Sequence, residues 1–132
     1  MITRRFSSLA VAGFLAFSLL PTMPAQAEQQ QRLASATGSY PVPIDPARMT
    51  GGAGVGILVT VPAGVTATYT VQVSGDPRVV TPTNWNPHDT LGTPQTASAN
   101  ANLTIPCTWV QLVVTSYSGT APVVMNVVQA GP

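Results

Sequence analysis

Apolar and polar residues alternate with a period of two along much of the chain beyond residue 54. In VTATYTVQVS, Val65, Ala67, Tyr69, Val71 and Val73 are apolar, while Thr66, Thr68, Thr70, Gln72 and Ser74 are polar. Successive side chains of a strand point to opposite faces, so this pattern predicts a strand with one packed and one wet face. VGILVTV (Val55 to Val61) precedes it through Pro62, Ala63 and Gly64. Proline presets a turn and glycine tolerates its exit, so these two strands are expected to pair as a hairpin. In ANANLTI, Ala99, Ala101, Leu103 and Ile105 share one side, and Asn100, Asn102 and Thr104 the other. TWVQLVVTSY carries Val110, Leu112 and Val114 on one face and Trp109, Val113 and Tyr117 on the other, which predicts a central strand covered on both faces. The turn YSGT then leads into APVVMNVVQ, where Val123, Met125 and Val127 share a face, and a second hairpin is expected.

Between these elements the stretch from Asp76 to Pro94 is proline-rich and weakly patterned, and reads as a long loop with a short strand at Val79 to Thr81. No fixed-period repeat is evident, and no helical period follows the first 27 residues. Short strands, turn chemistry and abundant β-branched residues predict an all-β fold, a single antiparallel β-sandwich or jelly-roll-like domain over residues 41–132. Its lead-in, SYPVPIDPARMTGGAG, is extended by Pro41, Pro43 and Pro46 and loosened by glycines. Residues 28–40, EQQQRLASATGSY, begin polar and Gln-rich without periodicity, and read as a flexible polar arm.

Residues 1–27 read as a secretory signal. Arg4 and Arg5 form a positive start, Leu9 to Leu20 an apolar core, and Ala25-Gln26-Ala27 a small-x-small cleavage site. The apolar run is shorter than the roughly 20 residues of a spanning helix and ends at prolines, so no stable membrane span is expected after cleavage. Beyond residue 27 the charges are Arg32, Arg48 and Arg78 against Glu28, Asp45, Asp76 and Asp89, with no lysine anywhere. Three scattered cations cannot displace the counterions of a phosphate backbone, which excludes nucleic acid as a partner. Cys107 is the only cysteine, so no intrachain disulfide forms. It reads as a small buried hydrophobe or as a cross-link to another subunit; no basic neighbour in sequence would make it a nucleophile.

The single histidine lies in NWNPHDTL, Asn84 to Leu91, beside Trp85 and Asp89. A Ser-His-Asp triad would need a serine and an aspartate brought to His88, and no G-x-S-x-G elbow is present. Paired-carboxylate chemistry would have to use Asp76 with Asp89 or Asp45, and nothing in their surroundings would hold one of them protonated. His88 and Asp89 are adjacent, so an extended backbone points them apart, and no second histidine or thiol pair completes a zinc set. An oxygen-rich calcium site would have few carboxylates to neutralise the ion. GGAGVG, Gly51 to Gly56, runs straight into a strand rather than into the helix N-terminus that phosphate loops use. NLT at Asn102 matches a glycosylation sequon within a predicted strand. Catalytic residues, metal ligands and cofactors are therefore not expected. NWNPHDTL reads as a self-bracing loop, with Trp85, His88 and Asp89 as a possible contact surface.

The water-facing strand positions are nearly all Thr, Ser, Asn or Gln, without the charges that commonly blunt sheet edges. This pattern predicts open edges and a protein partner, through self-association or docking onto a larger assembly. Read together, TYTVQ (Thr68 to Gln72), Trp85, TAS (Thr96 to Ser98) and the ending VVTSYSGT with VVQ make the stretch from Pro43 to Gln129 resemble small β-rich structural proteins of tailed bacteriophages. The chain departs from that group at Gln111, where an arginine is usual. The resemblance implies a virion component, an accessory or decorating protein of capsid or tail without catalysis, and it carries over no functional residue. The signal-like start favours the alternative, an exported surface or periplasmic module whose loop, with Trp85 and His88, binds carbohydrate or protein.

Overall fold

The computed structural model describes residues 28–45, 54–103 and 105–129. The signal-like segment 1–27, Arg48, the glycines at 51 and 52 and the sequon's Thr104 lie outside the described residues. Eight strands form among the described residues: β1 (Glu28–Ala34), β2 (Gly38–Pro43), β3 (Val55–Thr60), β4 (Thr66–Ser74), β5 (Asn86–Pro87), β6 (Ala99–Leu103), β7 (Trp109–Ser118) and β8 (Val123–Gln129). They build two four-stranded antiparallel sheets, ordered β1-β8-β3-β6 and β2-β7-β4-β5, and the fold is an all-β sandwich.

The pairing is nested. β1 pairs with β8, β2 with β7, β3 with β6 and β4 with β5, so the chain follows the path of one long two-stranded ribbon. Contacts of β3 with β8 and of β4 with β7 then wrap that ribbon into two layers. Eight strands connected this way are a jelly roll. Of the seven connections only β4 to β5 stays within a sheet.

This corrects both expected hairpins. Val65 N donates to Pro62 O at 3.1 Å and Gly64 takes φ +82°, so the predicted turn forms, but it carries the chain from β3 in one sheet to β4 in the other. The turn after Tyr117 likewise joins β7 and β8 across the layers. The polar segment 28–40 is not a free arm. It forms β1 and the start of β2, each in register with a neighbour, because backbone ladder bonds do not require an apolar side chain. Residues 28–40 therefore belong to the sandwich. Val79 to Thr81 is not a strand, and the short strand of that region is β5.

Between the sheets the period-two residues interleave. Val55, Ile57 and Val59, Ala67, Tyr69, Val71 and Val73, Val110, Leu112 and Val114, and Val123, Met125 and Val127 are all buried. Burial of a valine or leucine side chain stabilises by about 1.5–3 kcal/mol, so this set holds the fold without a disulfide. Tyr117 departs from its expected face. Thr68 faces Ser116 while Tyr69 faces Val114, so Thr115 is an extra residue in β7, and this bulge turns Tyr117 onto the core side. Ile105 also departs: β6 ends at Leu103, and Ile105 is 59% exposed.

The two edges of the β2-β7-β4-β5 sheet differ from the open edges expected. Pro41 and Pro43 remove N–H groups from β2, and their carbonyls accept Arg32 Nε at 2.9 Å and Gln30 Nε2 at 2.8 Å. Along the outer edge of β4, residues 86–95 take the place of a full strand. Tyr69 and Gln95 exchange both backbone bonds, Val71 N donates to Leu91 O at 2.8 Å, and His88 N donates to Val71 O at 3.0 Å. Proline, the Arg32 guanidinium, the Gln30 amide and a strapped loop thus cover the edges of this sheet.

Candidate functional site

The stretch around His88 is assembled by the β4 edge. β5 sets Asn86 opposite Val73 and Pro87 opposite Gln72, and the next residue turns inward. His88 is only 6% exposed. Its Nδ1 lies 3.1 Å from Thr90 N and 3.1 Å from Leu91 N, two donors, so Nδ1 is the unprotonated acceptor. Nε2 therefore carries the hydrogen and donates to Asn102 O at 3.1 Å. Asn102 belongs to β6 of the opposite sheet, so the imidazole bolts the two sheets together.

This arrangement does not make a triad. Asp89 Oδ1 at 3.0 Å and Thr90 Oγ1 at 3.2 Å both crowd Nδ1, whereas a triad places carboxylate and hydroxyl on opposite nitrogens. Asp89 and His88 also form no ion pair in this tautomer. Asp89 Oδ1 instead accepts Thr90 N–H at 3.0 Å, the local bracing that the sequence suggested. Gly92 completes the turn. A Cβ there would stand 2.3 Å from His88 O and 2.5 Å from Pro87 Cβ, so no side chain fits.

Trp85 is half-buried, and its Nε1 donates to Pro82 O at 3.1 Å. It is a strut of the preceding loop. A depression of about 340 Å³ in that loop is walled by Asp76, Pro77, Val79, Val80, Pro82 and Asn84 among others, and Trp85 is not one of its walls. The three residues singled out by sequence are thus neighbours with separate tasks: Trp85 braces residues 82–85, His88 joins the sheets, and Asp89, 59% exposed, caps one amide.

Sequence reasoning missed Asp76, which does more bracing than Asp89. Its Oδ2 accepts Thr83 N and Asn84 N, each at 3.2 Å, and Oδ1 lies 3.5 Å from Asn84 Nδ2. Trp109 Nε1 donates to Pro77 O at 3.3 Å, and the Thr108 hydroxyl donates to Asp76 O. An Asp followed by Asn at a spacing of eight was the available signal, but it has no fixed meaning without the fold.

Cys107 is buried, and burial pushes its thiol up to about 11, outweighing a backbone hydrogen bond from Trp109 that acts the other way. At neutral pH it is a protonated thiol. Among the described residues no cluster of three or more His, Cys, Asp or Glu stands ready for a metal, no buried side-chain nitrogen or oxygen lacks a partner, and no helix is long and apolar enough to cross a membrane. The chain was compared with protein-family models, with curated proteins and with solved structures, and none matches.

Proposed function

We propose that this chain is a non-enzymatic structural protein, an accessory or decorating component of a phage capsid or tail that acts through protein–protein contacts. The nested eight-strand connectivity carries the reading, because jelly rolls recur in viral capsid proteins as well as in lectins. A fold by itself hosts many functions, so the resemblance of Pro43 to Gln129 to phage structural proteins supplies the second support. The way His88, Asp76 and both indoles are committed to holding loops fits a protein that presents a fixed surface.

The lectin-like alternative asks for an exposed aromatic platform against which a sugar ring stacks. Trp85 is half-buried with its N–H on Pro82 O, which places that reading second. Mass spectrometry of particles banded from a lysate of producing cells tests the proposal. The chain should follow the particle peak at constant stoichiometry. Free material in the periplasm, beginning at Glu28 and absent from particles, would overturn it.

A further inference from the structure

We propose that residues 88–91 form an acid-sensitive latch: a proton taken up at His88 Nδ1 turns that nitrogen onto Asp89, frees the Leu91 amide and loosens the strap that covers the β4 edge. The latch is independent of what the protein's surface binds.

Nδ1 has one lone pair and several neighbours. It accepts Thr90 N–H and Leu91 N–H, each at 3.1 Å, and the Thr90 hydroxyl lies at 3.2 Å. Asp89 Oδ1 stands 3.0 Å from the same nitrogen. With Nδ1 unprotonated these two atoms are both acceptors, and the hydrogen of Thr90 N reaches both. A proton on Nδ1 converts their contact into a charge-assisted hydrogen bond to a carboxylate already in place. Thr90 N then keeps Asp89 Oδ1 as its acceptor. Leu91 N keeps nothing, because among the described residues Nδ1 is its one acceptor and a protonated nitrogen accepts no bond.

Leu91 is buried, so its stranded amide meets no water unless the turn shifts. The same residue is a rung of the strap, since Val71 N donates to Leu91 O at 2.8 Å. A shift of Leu91 therefore loosens the strap at Val71. The Tyr69–Gln95 pair lies further along β4 and stays, and Nε2 still donates to Asn102 O. The bolt between the sheets holds while the cover of the β4 edge opens.

Imidazole is the side chain that ordinarily changes charge between about pH 5 and 8. The ring of His88 is buried, but Asp89 is exposed and touches Nδ1, which gives a proton a path from water. Among the described residues Asp89 is the one carboxylate paired with the ring. β6 has no titratable residue, and β4 offers Tyr69, whose hydroxyl is engaged with Ala97 O. The stretch before β7 offers Cys107, a protonated thiol at neutral and acid pH. In the β4–β5 connection Arg78 is exposed and the Asp76 carboxylate is bound to the amides of Thr83 and Asn84.

Nuclear magnetic resonance of the purified chain tests the latch. At about pH 7.5 the ring nitrogens of His88 should report the Nε2–H tautomer, and by about pH 5 both should carry hydrogen. Over that range the Leu91 and Val71 amides should lose at least about tenfold of their protection against hydrogen exchange, after allowance for the intrinsic rate, while Tyr69 and the β7 amides keep theirs. Asp89→Asn removes the charged acceptor but leaves an oxygen for Thr90 N, so the ratio of charged to neutral ring at a given pH should fall at least about threefold. His88→Asn should make Leu91 protection independent of pH, because the new side chain does not titrate. A ring still singly protonated at about pH 5, a ring that charges while Leu91 or Val71 keeps its protection, a loss shared by Tyr69 and β7, or an Asp89→Asn ratio equal to wild type would each overturn the latch. The wild-type amides decide the matter even where a variant does not fold.

Discussion

Where β1 and β2 run side by side, the gap between the sheets is closed by side chains: Arg32 and Gln30 reach across to the carbonyls of Pro41 and Pro43. At the opposite flank, between β4 and β6, the chain itself fills the gap. Residues 86–95 lie along β4, His88 reaches Asn102 O in β6, and Tyr69 Oη donates to Ala97 O at 2.7 Å. The first closure is only partly covered, with the Arg32 bond exposed and the Gln30 bond half-buried, and it is made by long side chains that lose rotamer freedom when they bind, so it is worth less. The second is largely buried, so each broken bond leaves a polar group without water. The two flanks therefore differ in how much stability each bond carries.

That difference orders the outcomes of substitution. Gly92→Ala should cost most, at least about 3 kcal/mol in urea unfolding, because its Cβ meets backbone atoms that cannot give way. His88→Ala should cost about 2–4 kcal/mol through lost packing and the stranded amides of Thr90 and Leu91. His88→Asn should recover about 1 kcal/mol of this, since its carbonyl can accept those amides but cannot reach Asn102. If both variants equal wild type, the buried flank is not the stronger one.

The alkaline limb of stability is a subtler probe. Burial raises the pKa of Cys107 from 9.0 to about 11 and raises that of Tyr69 as well. The unfolded chain ionises the Cys107 thiol first, so its contribution is full below pH 9 and is lost as pH rises toward 11, a share of at most about 2–3 kcal/mol, and Tyr69 adds a loss of the same sign. Cys107→Ala should flatten the fall between pH 9 and 11 in unfolding experiments and leave the part due to Tyr69. Arg32→Ala, on the exposed flank, should cost least, about 0.5–1 kcal/mol, and a larger loss would erase the contrast between the flanks.

The strands β4, β7 and β8 were legible because a residue's face follows from its own position and a period of two. Which sheet receives each strand was not legible. Pro62-Ala63-Gly64 encodes a reversal of direction, and the same reversal serves a hairpin or a crossing between layers; only the nesting of distant pairs such as Glu28 with Gln129 decides between them. Gln29, Gln30 and Gln31 gave no periodic signal because β1 is held chiefly by its backbone. Tyr117 was misplaced by one residue of bulge. At the site, the local bond of Asp89 to Thr90 N was readable from adjacency, whereas the partner of His88 lies fourteen residues away on another sheet and leaves no mark in sequence.

The pairing of Glu28 with Gln129 across β1 and β8 brings the first and last described strands together at one point. A linker spanning a single inter-strand spacing, about 4.8 Å, would join them into a closed ring. New termini could then be opened in the exposed connection at 119–122, far from the valine-bearing loop. The sandwich thus lends itself to circular permutation, and a cargo fused at the new ends would project from the end opposite the one where Glu28 and Gln129 pair.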